Sequence, residues 1–336
     1  MKHFFKITSG IALILVLLFF VGPHPDTPVY NTIMPVIPSD ADSLVNYIQN
    51  IESKHKLKLD NEARVVWLND STKQKTDYAI VYLHGFSASQ GEGAPTHRII
   101  AKDFGCNLYL SRLAEHGIDT SEQLLNLTPD NYWESAKEAL VIGKKIGKKV
   151  ILMGTSSGGS LALQLAAAYK NDVAGILLYS PNISIKDNSA WILNKPFGLQ
   201  IARMVVGSNY LKGSINDSIN NQYWNSIYRI EAVVALQEMV STTMTNETFS
   251  SVKQPTLALY YYNDEQHQDK VVKVSAIKSM MNKIATPDSL KRTIVIPNAG
   301  NHVLCSSIRS KDVVGVITQT ELFLTEVMHI NKATKE

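Results

Sequence analysis

The sequence predicts an α/β fold with a mostly parallel central sheet flanked by helices. The first observation is that strand-like and helix-like segments alternate from residue 63 onward. Such alternation is typical of crossover connections, which make neighbouring strands parallel. The second is composition, since 45% of the 336 residues are hydrophobic and 19% are charged. Those fractions are ordinary for a chain with a packed core, and they exclude a disordered or fibrous protein.

The strand-like segments are short, rich in β-branched and aromatic residues, and followed by loops. We predict them at 63–68, 78–83, 107–110, 150–153, 173–179, 256–262 and 293–296. Apolar residues at helical spacing predict helices at 96–104, 132–146, 159–169, 274–284 and 313–328. In a parallel sheet of this kind, functional side chains lie beyond the carboxyl ends of the strands. A functional site is therefore expected in the loops that follow the predicted strands.

The first 22 residues have the pattern of a targeting segment. Lys2 and Lys6 precede an unbroken apolar run from Ile11 to Val21, which is the order found in secretory signals. The run is short for a membrane span, and no A-x-A-like cleavage site follows it. For residues 1–22 we therefore predict either a signal anchor or a cleaved signal peptide. Both alternatives place the protein outside the cytoplasm, and the uncleaved form would also attach it to a membrane.

Residues 23–40 contain five prolines, so they cannot form a continuous helix or a central strand. We predict an extended linker over this stretch, which would hold the domain away from a membrane. Ser39 and the aspartates next to it supply N-cap chemistry for a helix. The folded domain is therefore predicted to cover residues 41–336.

The alternation of strands and helices stops between Asn182 and Lys253. Large apolar side chains are frequent there, and helical spacing appears near 198–206 and 228–241. Long inserted segments often cover a substrate pocket. We predict a helical lid at about 183–252, with a packing domain that makes no contact with substrate as the alternative.

Residues 150–159 carry the clearest chemical signal in the chain. A predicted strand ends at Met153, the motif Gly154-Thr155-Ser156-Ser157-Gly158 follows, and a helix comes next. A G-x-S-x-G motif between a strand and a helix places a nucleophilic serine on a sharp turn. Ser156 is then the nucleophile, and the N–H of Ser157 at the helix start can bind an oxyanion. The spacing differs from that of glycine-rich phosphate loops.

A serine nucleophile needs a base to take its proton and an acid to orient that base. His302 is the predicted base, because it lies in a loop directly after the strand at 293–296. His267 lies in a polar loop and His329 lies in the C-terminal helix, where a solvated or packing role is expected.

Two aspartates follow the strand at 256–262 and are candidates for the acid. Asp269 is preferred, because the chain enters a helix soon after it and holds it more firmly than Asp264 in mid-loop. Asp264 remains the alternative. Together with Glu265 and His267 these aspartates could also bind a metal, but their spacing matches no metal-site motif. We predict no metal and no cofactor.

The chain order Ser156, Asp269, His302 resembles that of the α/β-hydrolase superfamily. Residues 83–87, Leu-His-Gly-Phe-Ser after a strand, resemble its H-G oxyanion loop. The resemblance implies that the N–H of Phe86 is the second oxyanion donor and that His84 shapes the loop without a catalytic role. Residues 110–117 are similar to the R-L-x-G-H-G segment of the branch that contains monoacylglycerol lipases, carboxylesterases and serine aminopeptidases. Glu115 replaces the usual glycine there.

The resemblance implies a serine hydrolase of α/β-hydrolase fold that cleaves small-molecule acyl esters through an acyl-enzyme, with lipase-like substrates included. A serine aminopeptidase or amidase and a non-catalytic binding module are the alternatives. The sequence disfavours a dehalogenase, because that chemistry needs an aspartate where Ser156 stands. A net charge of +3 and the absence of long Lys/Arg runs exclude a nucleic-acid partner. For Cys106 and Cys305 two alternatives stay open, a disulfide between them or two reduced, buried thiols.

Overall fold

The computed structural model describes residues 8, 10, 13, 14, 16, 19, 21–213, 215 and 217–334. Its strands, in chain order, are β1 (Arg64–Val66), β2 (Thr76–Leu83), β3 (Asn107–Leu110), β4 (Gly147–Thr155), β5 (Val173–Tyr179), β6 (Tyr210–Lys212), β7 (Ile227–Arg229), β8 (Thr256–Tyr260) and β9 (Lys291–Val295). Seven of them form one sheet in the order β1-β3-β2-β4-β5-β8-β9, and β6 and β7 form a separate hairpin.

The central sheet is parallel except at one edge, where β1 runs antiparallel to β3. This confirms the predicted mostly parallel α/β architecture. The side chains of β2 show why the strands of this sheet do not alternate between polar and apolar residues. Ala79 and Val81 enter the core on one face of the sheet, while Ile80 and Tyr82 enter the core on the other. Both faces are covered by helices, so each face must be apolar.

The helices lie in two layers around the sheet. Their bounds are α1 (Ala41–Glu52), α2 (Thr96–Asp103), α3 (Pro129–Ile146), α4 (Ser157–Ala168), α5 (Gly198–Val206), α6 (Ser218–Tyr223), α7 (Ile230–Thr243), α8 (Asn246–Ser251), α9 (Val274–Lys283) and α10 (Val313–Glu326). Apolar side chains of α1, α3, α4, α7 and α9 share the larger core. Those of α2 and α10 form the core on the opposite face.

Predicted and observed elements agree closely outside the inserted segment. The five predicted helices lie within three residues of α2, α3, α4, α9 and α10, and the predicted bounds of β3 and β5 are identical to those observed. The strand predicted to reach Tyr262 ends at Tyr260, because Tyr262 pairs with Gln268 across a tight loop. Within the inserted segment, the helix predicted from residue 228 begins at Ile230, since residues 227–229 pair with β6.

The predictions for residues 1–22 fall mainly outside the described residues. Within the part of the chain that the structure describes, none of the helices combines the length and the apolar character that a bilayer crossing requires. Asp40 caps α1, because its carboxylate accepts a hydrogen bond of 2.8 Å from the N–H of Ser43.

The proline-rich stretch contains no regular helix or strand, and it lies against the domain. Trp133 donates its indole N–H to the carbonyl of Asn31 at 2.7 Å, and Lys137 donates to the carbonyl of Ile33 at 2.9 Å. Ile37 is buried in the main core. We name residues 29–37 the N-terminal strap. Over these residues the chain is bound to α3, which differs from the free spacer expected of a linker.

Candidate active site

The candidate nucleophile lies on a sharp turn between β4 and α4. Ser156 has φ of 54° and ψ of −119°, a region that side chains other than glycine rarely adopt. Its N–H donates to the carbonyl of Tyr179 at 2.9 Å, which fixes the turn to the end of β5. A side chain on Gly158 would approach the carbonyl oxygen of Leu83 to 2.0 Å, so this motif position must be glycine. Ser156 itself is only 6% exposed.

The structure brings Asp269 and His302 together. His302 Nδ1 donates to Asp269 Oδ2 at 2.7 Å, and the aspartate side chain is fully buried. The other carboxylate oxygen accepts from the N–H groups of Val271 and Val272 at 2.8 and 3.0 Å. The carboxylate is thus held at three points, and it fixes the imidazole with Nδ1 protonated and Nε2 available as a base.

Burial and charge act in opposite directions on this pair. Burial tends to raise the pKa of Asp269, but the nearby imidazole and the hydrogen bonds outweigh it and leave that pKa below its ordinary value. Burial tends to lower the pKa of His302, but the Asp269 carboxylate outweighs it and leaves that pKa above its ordinary value. The pair therefore favours an ionised acid beside an imidazole that accepts a proton readily.

The alternative acid lies elsewhere. Asp264 accepts hydrogen bonds from the ring and the backbone N–H of His267 in an exposed loop, and no bond joins it to His302. In the described part of the chain, no three or more His, Cys, Asp or Glu side chains are grouped to hold a metal ion. His329 is exposed beyond the end of α10.

The loop after β2 lies beside the nucleophile. The N–H of Gly85 donates to Glu92 at 2.5 Å, and the N–H of Ser87 donates to the Nε2 atom of His116 at 3.1 Å. Among the hydrogen bonds of the described residues, none is donated by the N–H of Phe86 or of Ser157. The N–H groups of the two predicted oxyanion donors therefore have no hydrogen-bond acceptor among the described residues, whereas the neighbouring N–H groups of Gly85 and Ser87 do.

His84 and His116 form hydrogen bonds that fix the position of this loop. His84 accepts from the N–H of Leu113 at 3.0 Å through Nε2, and its Nδ1 lies 3.0 Å from the carbonyl of Gly85. Both imidazoles are fully buried. Burial lowers the pKa of His84 to about 4, so the ring is neutral and acts as a bridge between two loops.

A family model described as serine aminopeptidase, S33, matches residues 129–302, more than half of the chain. The match contains Ser156, Asp269 and His302. The chain belongs to the serine aminopeptidase S33 family. Among curated proteins, this S33 member is 22% identical over 187 residues to Protein bem46 of Schizosaccharomyces pombe. That match covers 53% of this chain and spans only 60% of the length of the yeast protein.

Solved structures similar to this S33 member have the α/β-hydrolase fold. A structure described for the metagenome-derived lipolytic enzymes LipS and LipT has a TM-score of 0.62 at 17% identity, covering 80% of this chain and 99% of that one. The monoacylglycerol lipase of Paleococcus ferrophilus has a TM-score of 0.58 at 11% identity, and the match covers 79% of this chain and 99% of that one. A soluble variant of monoglyceride lipase from Saccharomyces cerevisiae has a TM-score of 0.59 at 12% identity, and the match covers 94% of this chain and 100% of that one. At these identities the likeness shows the fold.

Part of the inserted segment lies on the loop after β2 of this S33 member. The N–H of Asn225 donates to the carbonyl of Ser87 at 2.7 Å. The rings of Phe86 and Tyr228 meet edge to face, with centroids 5.2 Å apart. We name residues 223–228 the covering segment. Its contacts lie on the loop after β2, the loop that borders Ser156.

Sequence reasoning missed two residues that hold the site of this S33 member. His116 lies in the segment that resembles R-L-x-G-H-G, but its bond to the Ser87 amide depends on how two distant loops meet. Glu92 lies in no recognised motif. The one available signal is its position between two glycines, Gly91 and Gly93, which is typical of a place where other groups approach the backbone closely.

Proposed function

We propose that the protein hydrolyses carboxylic esters through an acyl-enzyme formed on Ser156. The observation that carries this proposal is the buried Asp269–His302 pair at the edge of the sheet where Ser156 occupies its strained turn. Ser156 follows β4, Asp269 follows β8 and His302 follows β9, so all three lie beyond the carboxyl ends of parallel strands. This is the arrangement that serine acyl transfer requires.

In the proposed reaction, Ser156 Oγ attacks the acyl carbon while His302 Nε2 takes the hydroxyl proton. Asp269 keeps the imidazole in the required tautomer and stabilises its positive charge. The oxyanion that forms accepts hydrogen bonds from the N–H groups of Phe86 and Ser157. His302 then protonates the departing alkoxide. Water attacks the acyl-enzyme and gives a proton to His302. His302 passes that proton to Ser156 Oγ as the bond from the acyl carbon to Oγ breaks, which releases the acid and restores the free hydroxyl.

Small acyl esters, with lipase-like substrates included, are the proposed substrates. The covering segment supports this, because it places the Tyr228 ring against Phe86 beside the nucleophile. An acyl chain gains free energy from such apolar surroundings. The similar solved structures are described as lipolytic enzymes and monoglyceride lipases, which supports the same substrate class.

An aminopeptidase would need a free carboxylate near the site to bind the substrate amine. The three acidic side chains of the inserted segment that are candidates for this role already have partners. Glu231 forms ion pairs with Arg203 and Arg229. Glu238 accepts a hydrogen bond from Asn194, and Asp217 caps α6. These contacts support an ester substrate over a peptide with a free amino end.

We also propose that residues 1–22 direct the protein out of the cytoplasm and, where they are not cleaved, attach it to a membrane. The basic start and the apolar run support this proposal.

The test compares hydrolysis of a p-nitrophenyl acyl ester by the wild type and by Ser156→Ala. We expect the variant to lose at least about 1,000-fold in kcat, because the nucleophile is absent. A fluorophosphonate probe should label the wild type and not the variant. Ser160→Ala is the control, since that buried hydroxyl, one turn along α4, donates to the carbonyl of Asn182. Turnover or labelling that persists in Ser156→Ala would contradict the proposal.

A further inference from the structure

A second buried carboxylate borders the candidate site and has no part in the reaction proposed above. Glu92 is only 2% exposed. Its neighbours in the chain, Gly91 and Gly93, are closely packed. A side chain on Gly91 would overlap the ring of Tyr223, and one on Gly93 would overlap the ring of Tyr82. The close packing on both sides leaves Glu92 directed into the protein interior.

The Glu92 carboxylate and Ser156 border the same small space. A methyl group placed on Gly85 would lie 2.8 Å from Oε1 of Glu92 and 3.1 Å from Cβ of Ser156. The Gly85 N–H donates to Oε2 of Glu92 at 2.5 Å, a charge-assisted bond. Since Phe86 follows Gly85, this bond sets the orientation of the peptide group just before the proposed oxyanion donor.

The remaining groups around Glu92 come from several elements. Tyr82 of β2 donates its hydroxyl to Oε2 at 3.3 Å, and the Trp224 side chain of the covering segment acts to lower the pKa of the carboxyl group. Burial raises the pKa of Glu92 to about 7, although the Gly85 N–H and the charge of His302 oppose this effect. The titratable or charged groups that interact with it electrostatically are Tyr82, Tyr132, His302, Cys305 and Arg309.

Building on the proposed function, we propose that Glu92 is the positioning residue of the oxyanion site. Its carboxylate fixes the Gly85 amide so that the Phe86 N–H is presented to the oxyanion, and its negative charge stabilises protonated His302. Glu92 acts through these two neighbours and does not touch the reacting atoms. Oxyanion donors are effective because they are held in place before the charge develops.

Two variants of nearly equal size separate the hydrogen bond from the charge. Glu92→Gln keeps an oxygen that can accept the Gly85 N–H, whereas Glu92→Met offers no acceptor. With a p-nitrophenyl ester, we expect Glu92→Met to lose about 100-fold in kcat with less than a threefold change in KM, as when an oxyanion donor is lost. The kcat of Glu92→Gln should be at least tenfold higher than that of Glu92→Met. Equal kcat values in the two folded variants would overturn the positioning role.

The pH profile tests the charge. The base must be neutral to act, so the acid limb of kcat/KM follows the ionisation of His302. Without the carboxylate, the imidazolium loses a stabilising charge, and the acid limb of Glu92→Gln should move to lower pH. Glu52→Gln is the matched control, because Glu52 is another buried carboxylate that accepts a backbone N–H, that of Ala63 at 2.8 Å. An acid limb that is identical in Glu92→Gln and wild type would overturn the charge role.

Folding and the proposed function are checked in the same experiment. Circular dichroism melting shows whether Glu92→Met is folded at the assay temperature. If Glu92→Met does not fold, Glu92→Asp takes its place in the comparison with Glu92→Gln, because the shorter aspartate side chain withdraws the acceptor from the Gly85 N–H. Equal kcat values in Glu92→Gln and Glu92→Asp would then overturn the positioning role. If wild type shows no activity that depends on Ser156, the proposed function fails. If wild type is active and the Glu92 variants match it, only the present inference fails.

Discussion

The backbone at Ser156 holds a conformation that costs a non-glycine residue about 1–3 kcal/mol. Surrounding hydrogen bonds compensate for this strain. The N–H of Ser156 donates to Tyr179, and its carbonyl accepts from the N–H groups of Gly159, Ser160 and Asn182. The turn is therefore over-determined by its neighbours, as expected where a side chain must be presented in one orientation.

Asp269 and Asp264 provide a prediction at this scale. Asp269→Asn should lower kcat by about 1,000-fold or more, because the neutral amide no longer stabilises the imidazolium or fixes its tautomer. Asp264→Asn should change kcat by less than threefold, since that carboxylate is exposed and binds only its own loop. Steady-state ester hydrolysis by both variants checks this. A larger loss in Asp264→Asn would show that the acid assignment is wrong.

The pH dependence follows from the same pair. The pKa of His302 lies above its ordinary value of 6.5, so we expect kcat/KM to rise with pH and to reach its plateau only above neutrality. Because burial raises the pKa of the neighbouring Glu92 to about 7, the ionisation of His302 that shapes the acid limb is coupled to that of Glu92.

At the scale of elements, the N-terminal strap shows how a chain without regular structure can be held. Its backbone carbonyls accept from side chains of α3, Trp133 to Asn31 and Lys137 to Ile33, and from Tyr169 just after α4, whose hydroxyl donates to Thr32 at 2.9 Å. An extended segment leaves its carbonyls unpaired, so it needs such donors wherever it is buried. Proline content excludes a continuous helix over this stretch but carries no information about these distant partners.

Lys137 provides the prediction for this element. Its side chain is fully buried, and it also pairs with Glu134 at 2.8 Å. Lys137→Met should lower the free energy of unfolding by about 1–3 kcal/mol and accelerate proteolysis within residues 23–40. Lys144→Met on the same helix is the control, because the exposed Lys144–Asp172 pair should contribute about 0–1 kcal/mol. Urea unfolding and limited proteolysis measure both effects. Equal losses in the two variants would contradict a specific role for Lys137.

At the scale of the whole molecule, the sheet separates two apolar cores, and both cysteines lie in the second one. Cys106 and Cys305 are free thiols in the structure, which decides between the two alternatives that the sequence left open. Burial raises the pKa of Cys106 to about 12 and that of Cys305 well above its ordinary value. Neither thiol is therefore activated as a nucleophile.

This arrangement predicts the alkylation behaviour of the protein. A pKa near 12 lowers the thiolate fraction of Cys106 by about 1,000-fold relative to a free thiol, and burial also blocks access. Iodoacetamide should leave both cysteines unmodified in the folded protein and modify both in guanidinium, as counted by mass spectrometry. Rapid modification under native conditions would show that the second core opens easily or is packed differently.

Features that depend on neighbouring residues could be predicted from the amino-acid sequence alone. Apolar periodicity placed β2, β4 and β5 and the helices between them, and the pattern around Ser156 is complete within five residues. These signals suffice because strand and helix preferences, and the steric demands of a sharp turn, act over a few residues.

Only the tertiary structure decided which distant groups meet. The approach to a helix favours Asp269 over Asp264 in the sequence, but the contact of 2.7 Å between Asp269 and His302 arises only in the folded loop. Glu92 carries no motif, and its importance arises from Gly85, Tyr82 and Trp224 converging on it. Burial, charge coupling and the pairing of buried polar groups depend on contacts between residues far apart in the chain, which local patterns do not encode.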